Sequence, residues 1–376
     1  LSLPMKRTSK RLHHKSPTKG GRSLRLLLVG IGLLLSCIGL IFVFEASSIR
    51  ALNATGDSFH FLKLQLRWIG LGLVLLGFFS WYNYKHLYYL SLPALISVVF
   101  LLLIVLLPGV GTTAGGARSW IDLGFITIQP TEYAKFVLIL YLSSWFSHKE
   151  KSRFLPFIGL LGFLLFLVML QPDLGTAIMI FLLSVTLYFL GGQDLKYLAM
   201  LVPVAVVGLV GLIAAAPYRL KRLTAFLNPS ADPLGVGFHI NQILISLTEG
   251  GILGRGFGAS RQKYLFLPEA HTDSIFAIIG EELGFIGSFF LILLLSIFIY
   301  KLFQIVEHTS DRFGRLLIGG ILTYFVLQII INLGGMVNIM PLTGVTLPFI
   351  SYGGSSMLIS FMMLGVAINI SRQSHP

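Results

Sequence analysis

The residues Leu267-Pro268-Glu269-Ala270-His271-Thr272-Asp273 gather two carboxylates, an imidazole and a hydroxyl immediately before a long apolar run that opens at Ser274. In a chain poor in charge, ionisable groups at the mouth of an apolar helix are where chemistry or transport should be sought. A carboxylate there can act as a general base. Asp273 is equally placed to cap the helix that follows, because aspartate is a favoured N-cap residue. No second His or Cys stands at ligand spacing, so His271 reads as a hydrogen-bonding partner rather than a metal ligand.

Other polar residues fall where they could join this cluster. Arg118, Trp120 and Asp122 follow the third apolar segment. Glu132 and Lys135, three residues apart on a helix, can pair on one face. They could also simply neutralise one another inside a bundle. Gln171-Pro172-Asp173-Leu174-Gly175-Thr176 reads as a tight turn in which Asp173 caps the next helix. The segment Asn338 to Ser356 carries Pro341 and Pro348 with Gly344, Gly353 and Gly354. Irregular backbone of this kind is tolerated at membrane depth where it is buried in protein or lines a wet cavity.

The elements that must position these groups are membrane spans. Of 376 residues, 55% are hydrophobic and 11% charged, with 40 glycines and 30 phenylalanines and a mean hydropathy of +0.85. That composition describes an all-α polytopic membrane protein and excludes a soluble enzyme. A span needs roughly 20 mostly apolar residues. Ten segments qualify, at about 26–46, 62–82, 87–107, 131–147, 154–172, 174–192, 197–217, 274–300, 316–337 and 349–370. The first follows a basic stretch, as a signal peptide would, but no small-residue cleavage site follows it and it reads as an anchor. The chain divides into a basic tail, 1–25, and a single ten-span domain, 26–376, whose one long outer loop is 218–272. It opens on Leu1, which leaves an unusual start codon or a start at Met5 open. The single cysteine, Cys37, forms no intrachain disulfide.

Charge sets the orientation. Lys6, Arg7, Lys10, Arg11, Lys15, Lys19, Arg22 and Arg25 fill the tail, and Lys85, Lys149, Lys151, Arg153, Lys196, Lys301, Arg312, Arg315 and Arg372 fall on the same side. Only Arg50, Lys63, Arg67, Arg118 and Lys135 fall opposite, outside the long loop. The excess places both termini in the cytoplasm. A basic tail suits the anionic inner face of a membrane. It has neither aromatic interleaving nor a folded reader beside it, so nucleic acid is not expected as a partner.

The loop 218–272 carries Arg219, Lys221, Arg222, Arg255, Arg261 and Lys263 against Asp232, Glu249 and Glu269. Such an excess suits an anionic partner such as a phosphate, although snorkelling to lipid headgroups also explains part of it. Ile240, Ile243, Leu244 and Leu247 recur at helical spacing and predict a short surface helix. Beyond Asp273, the small residues Ala277, Gly280, Gly284 and Ser288 form a stripe that lets a neighbour pack closely. Glu281, two turns deeper, needs a partner or a proton.

Five motifs carry a resemblance. Gly116-Ala117-Arg118-Ser119-Trp120-Ile121, Gln129-Pro130-Thr131-Glu132, Gln171 to Thr176, Pro268 to Gly284, and Leu347-Pro348-Phe349-Ile350-Ser351-Tyr352-Gly353-Gly354-Ser355-Ser356 stand in order and at the spacing of the SEDS proteins (shape, elongation, division and sporulation). Thr346-Leu347-Pro348-Phe349 and Phe226-Leu227-Asn228-Pro229 look more like the family's division branch than its elongation branch. The resemblance implies a ten-span peptidoglycan glycosyltransferase of the bacterial cytoplasmic membrane, acting at the division septum. It would polymerise lipid II onto a growing glycan-undecaprenyl pyrophosphate, beside a class B penicillin-binding protein and other divisome membrane proteins. The family's proposed catalytic aspartate falls on Asp273. The other candidates for substrate binding are Arg118, Trp120, Glu132, Lys135, Arg219, Arg222, Arg255, Lys263, Glu269 and His271. Asp173, Pro348, Ser351, Gly353, Gly354 and Ser355 fall on structural motifs.

Two positions depart from the family pattern. Ser274 stands where many relatives carry Phe, beside the site, and Ser119 stands where a second Arg is often found. No organic cofactor is expected, whereas a divalent cation, Mg or Mn, would serve a pyrophosphate leaving group. A lipid II transporter is the alternative reading, since Glu132, Lys135 and Glu281 also suit a translocation path. A scaffold for division partners would explain the spans but not the convergence of charge.

Overall fold

The computed structural model describes residues 19–374 apart from 115–116, 123, 125, 149–152, 215–216, 230–231, 233–234, 236 and 265. The tail residues Lys6 to Lys15, together with Lys149, Lys151 and Gly116, therefore lie outside the described residues. Twelve helices occur among those described: α1 (Lys19–Thr55), α2 (His60–Trp81), α3 (Tyr84–Ile104), α4 (Pro130–Ser147), α5 (Phe154–Met169), α6 (Leu174–Leu190), α7 (Leu195–Ala214), α8 (Pro217–Leu227), α9 (Phe238–Gly250), α10 (Ile275–His308), α11 (Arg312–Met336) and α12 (Gly354–Ser374). Each of the ten apolar segments coincides with one of them. Six, namely α1, α2, α3, α10, α11 and α12, are long and apolar enough by themselves to cross a membrane; α5 and α6 are shorter apolar helices. The protein is a polytopic helical membrane protein.

Three features were not legible as periodicity. The segment after α3 folds into a small antiparallel sheet, β1 (Gly111–Ala114), β2 (Ala117–Asp122) and β3 (Thr127–Ile128), in the order β1-β2-β3. Its strands are too short to show an alternation. Helix α8 was not anticipated either, whereas α9 is the surface helix that Ile240 to Leu247 predict. Both α1 and α10 outrun their apolar cores: 37 and 34 residues rise about 55 and 51 Å, against a hydrocarbon core of about 30 Å.

Arg25 at the start of α1 donates to the Ser371 carbonyl of α12, and Gln373 donates to Asn83, so both described ends of the chain lie together. At the opposite, distal side, Glu45 of α1 meets Lys263 of the loop before α10. Within α10 the first turns, Ile275 to Glu282, are buried in protein. From Phe285 onward Phe285, Ile286, Phe289, Phe290, Ile292 and Leu293 are exposed. The lipid-facing surface of this helix starts at Phe285.

At that point the helix is broken. Gly284 takes φ 66° and ψ −164°, which interrupts the i to i−4 ladder. The glycine-rich loop after α9 restores the missing bonds: the amides of Arg255 and Gly256 donate to the carbonyls of Glu281 and Glu282, and those of Phe285 and Ile286 donate to Gly251 and Ile252. An added Cβ at Gly284 would stand 2.2 Å from the Gly254 amide. Gly284→Ala should therefore cost at least the 1–2 kcal/mol of a left-handed non-glycine residue, about that of a core truncation. The loss reads out as a lower midpoint of thermal unfolding in detergent; an unchanged midpoint would show that the break is not enforced.

The core is assembled around α4 and α12, which are buried on nearly all faces. Helix α12 packs on α2, where an added Cβ at Gly354 would fall 2.1 Å from the Trp68 ring, so only glycine permits that approach. Phe298, Phe325, Phe349 and Phe361 form an aromatic knot between α10, α11 and α12. In it Phe349 holds the irregular 338–353 segment, whose Pro348 is also buried. This core packs the distal loops against fixed helices.

Candidate active site

Asp273 ends the loop that enters α10, and three elements hold it. From α11, the Asn332 amide donates at 2.8 Å to the Asp273 carbonyl and at 2.8 Å to that of Val345. From the last irregular segment, the Tyr352 amide donates to the His271 carbonyl at 2.9 Å. From α9, the His239 ring meets the Ser274 hydroxyl at 2.8 Å. The loop is itself compact: the amides of Thr272 and Ser274 both donate to the Glu269 carbonyl, and Glu269 takes a φ of 49°. A small cleft beside it is lined by Asp273, Asn332, Gly335, Leu342, Thr343 and Gly344.

The carboxylates of Glu269 and Asp273 share one hydroxyl. Thr272 Oγ1 lies 3.0 Å from Glu269 Oε2 and 3.2 Å from Asp273 Oδ1. Asp273 is 8% exposed, and its pKa is raised to about 6, chiefly by burial and then by Glu269, against the opposing effects of Thr272 and Arg222. Burial likewise lowers His271 to about 4, with Arg50 assisting, so this ring is neutral near pH 7. The ring packs in tilted contacts against Phe61 and Tyr352, and its Nδ1 has no hydrogen-bond partner among the described residues, so the hydrogen-bonding role expected from the sequence is not seen.

The remaining candidates separate into groups. Glu132 and Lys135 pair with each other at 2.6 Å, and Tyr324 supplies a second partner to Glu132 at 3.4 Å. Arg118 is spent on the carbonyls of Leu107 and Gly111, where it pins the sheet to the end of α3. Trp120 sits half-buried in β2, with its carbonyl 3.4 Å from the Thr112 hydroxyl. Arg255 pairs with Glu249. Lys263 bridges Glu45 at 2.6 Å and Glu282 at 3.3 Å. Glu281, the carboxylate that needed a partner, accepts from the Ser260 hydroxyl and the Arg261 amide. Arg219, on α8, is buried.

Asp173 caps α6 through the Thr176 amide and hydroxyl. Ser351 accepts from the Leu347 amide, Ser355 accepts from the Gln129 amide, and Gly353 packs against Thr346, so these motif residues hold backbone together. The cations whose charge reaches the Asp273 loop are Arg222 of α8 and Arg50 of α1, the latter 3.7 Å from Glu269. Arg50 was not among the sequence candidates. It is a lone arginine at the end of a span, with no neighbouring motif to single it out.

Among the described residues no group of three or more His, Cys, Asp or Glu is placed to share a metal ion. Glu269 and Asp273 do match the one or two carboxylates that Mg²⁺ takes when phosphate oxygens complete its shell.

A family model described as "Cell cycle protein", covering FtsW, RodA and SpoVE, matches residues 25–376. The chain belongs to the SEDS family. It is 41% identical over 355 residues to stage V sporulation protein E of Bacillus subtilis, spanning 93% of this chain and 97% of that one. It is 39% identical over 359 residues to a probable peptidoglycan glycosyltransferase FtsW of Coxiella burnetii, spanning 90% and 94%. Among solved structures it superposes on one described as "Structural coordination of polymerization and crosslinking by a peptidoglycan synthase complex" with a TM-score of 0.75 at 28% identity, covering 94% of this chain and 98% of that one. Thermus thermophilus rod shape determining protein RodA gives 0.69 at 26% identity, covering 93% and 97%. The family match agrees with the resemblance that the five motifs carry.

Proposed function

We propose that this SEDS protein is a peptidoglycan glycosyltransferase that polymerises lipid II on the outer face of the bacterial cytoplasmic membrane during septal wall synthesis. The observation that carries the reading is a single buried carboxylate, Asp273, with a pKa raised to about 6 and two arginines within electrostatic reach of its loop. The relatives' names support the activity, and the synthase-complex neighbour supports a class B penicillin-binding protein as partner. Ten spans with both termini cytoplasmic would set the distal side outward.

The chemistry needs few groups. The acceptor's 4-hydroxyl oxygen forms a bond to the donor's anomeric carbon as that carbon's bond to the pyrophosphate breaks, with inversion. Asp273 receives the hydroxyl proton as general base. Pyrophosphate leaves with the bonding pair and needs its charge neutralised rather than a proton, so one carboxylate serves where a glycoside hydrolase uses two. Arg222 and Arg50 are placed to stabilise that charge. Glu269 and Asp273 would hold a magnesium or manganese ion arriving with the pyrophosphate, which would supply further charge neutralisation.

A transport reading draws no support from the buried charges, because Glu132 is matched by Lys135 and Glu281 by Ser260 and backbone amides. The purified protein, mixed with its partner and lipid II in detergent, should yield glycan strands, with no sidedness available for transport. Arg222→Gln should lower kcat/KM by about ten- to hundredfold, the scale of one lost charge-stabilising donor. Unchanged kinetics would remove Arg222 from the pyrophosphate site. Flipping in liposomes with no polymer from the wild-type protein would overturn the transferase reading.

A further inference from the structure

We infer that His239 is a positioning residue for the reaction, a clamp through which α9 closes the loop carrying Asp273; this rests on the transferase reading above. The ring touches the loop at its α10 end. Its Nε2 lies 2.8 Å from Ser274 Oγ, immediately after Asp273. No part of the ring reaches the Asp273 carboxylate, so it works through the loop and not on the reacting atoms.

The protonation state fits a clamp. Burial lowers the imidazole's pKa to about 4, although Glu269 pulls it upward, so at neutral pH the ring is uncharged. A neutral imidazole has one N–H donor and one lone-pair acceptor. In either tautomer Nε2 and the Ser274 hydroxyl can pair, one donating and the other accepting. Ser274 is fully buried and has no other side-chain bond among the described residues, so its hydroxyl answers to this histidine.

The loop needs such a hold. Glu269 sits at φ 49°, a left-handed conformation that a non-glycine residue keeps only where surrounding contacts enforce it. Within the same loop, a buried carboxylate stands beside a second one, an arrangement that would relax outward into solvent if freed. Asn332 holds the loop by the Asp273 carbonyl and Tyr352 by the His271 carbonyl. His239 supplies the third point, from a helix that cannot slide: a Cβ at Gly250 of α9 would fall 2.0 Å from the Gly280 carbonyl of α10. Placing a general base within hydrogen-bond reach of its proton tolerates little displacement, and misplacement by about 1 Å can cost a hundredfold in rate.

The experiment uses the complex with its transpeptidase partner, lipid II in detergent, and the variants His239→Ala, His239→Gln, Ser274→Ala and the Ala/Ala double. His239→Ala and Ser274→Ala should each lower kcat at least tenfold, with KM for lipid II within about twofold and the unfolding midpoint nearly unchanged. The double variant should be no worse than the poorer single, because both remove one clamp. His239→Gln, whose amide can still bond the Ser274 hydroxyl, should recover most of the lost rate. Unchanged kcat in His239→Ala overturns the clamp, as do multiplicative losses in the double. A rate loss that tracks a fall in unfolding midpoint and is not rescued by Gln also overturns it, in favour of plain packing. Asp273→Asn is run alongside: if it polymerises normally, the base assignment fails; if it is inactive while His239→Ala is fully active, only the clamp fails.

Discussion

Asp273→Asn should abolish strand formation while leaving the fold intact or firmer. Loss of a general base costs about 10²- to 10⁴-fold, which takes polymerisation below detection in a gel-based assay. The fold survives because the bond from Asn332 runs to the backbone carbonyl of residue 273, which the substitution keeps. Stability should even rise at neutral pH. A carboxyl whose folded pKa, about 6, exceeds its unfolded value favours the folded state most below about pH 4, and that advantage is lost as pH rises through 6. At pH 7 the buried anion is a net cost on the order of 1–3 kcal/mol, which Asn removes. A dead enzyme with a higher unfolding midpoint is the signature of a group kept for chemistry; equal polymer from the variant would sink Asp273 as the base.

The same carboxyl sets the pH profile. The base must be ionised, so kcat/KM should fall on the acid side with a midpoint near 6, tenfold per unit below it. Glu269 helps to hold that midpoint up and Arg222 pulls it down. Glu269→Gln should therefore shift the acid limb to lower pH and Arg222→Gln to higher pH. A limb that ignores both substitutions would belong to some other group.

The second large effect concerns stability. Lys135, 1% exposed, and Glu132, 7% exposed, pair on α4 inside the bundle. Lys135→Met leaves a buried carboxylate with only the Tyr324 hydroxyl at 3.4 Å, and should cost about 3–5 kcal/mol. Replacing both, as Glu132→Leu with Lys135→Met, should recover most of that loss, since a buried pair is worth little against apolar packing of similar volume. Unfolding in detergent measures the cycle, and polymerisation by the double variant decides between the two readings of this pair. Retained activity makes it a neutralised structural pair; lost activity at restored stability returns it to the substrate path.

The spans and the Asp273 cluster were legible because each writes itself locally, one as a length of apolar residues and the other as ionisable groups in an apolar chain. What was not legible is what a charge is spent on. Arg118, Arg255 and Lys263 looked like phosphate ligands, yet their partners are the Leu107 carbonyl, Glu249 and Glu45, the last of which lies 218 residues away in the chain. Arg50 entered only the charge count, and the packing of α1 beside the distal loop brings it to Glu269. The break at Gly284 was hidden for a related reason. A glycine in an apolar run signals close packing as readily as a changed dihedral, and the bonds that decide between them come from a loop thirty residues earlier in the fold's logic, at Gly251 to Gly256.

The height at which α10 meets the lipid fixes which end of a long substrate the base can touch. Between Ile275 and Phe285 the helix rises about 15 Å, while the headgroup layer beyond the hydrocarbon is only about 5–8 Å deep. Asp273 thus stands beyond the hydrocarbon, where the pyrophosphate of a lipid-linked substrate meets its first sugar. On the proposed reaction the polyprenyl tail never has to leave the bilayer, and the finished strand is already outside the membrane when each bond is made.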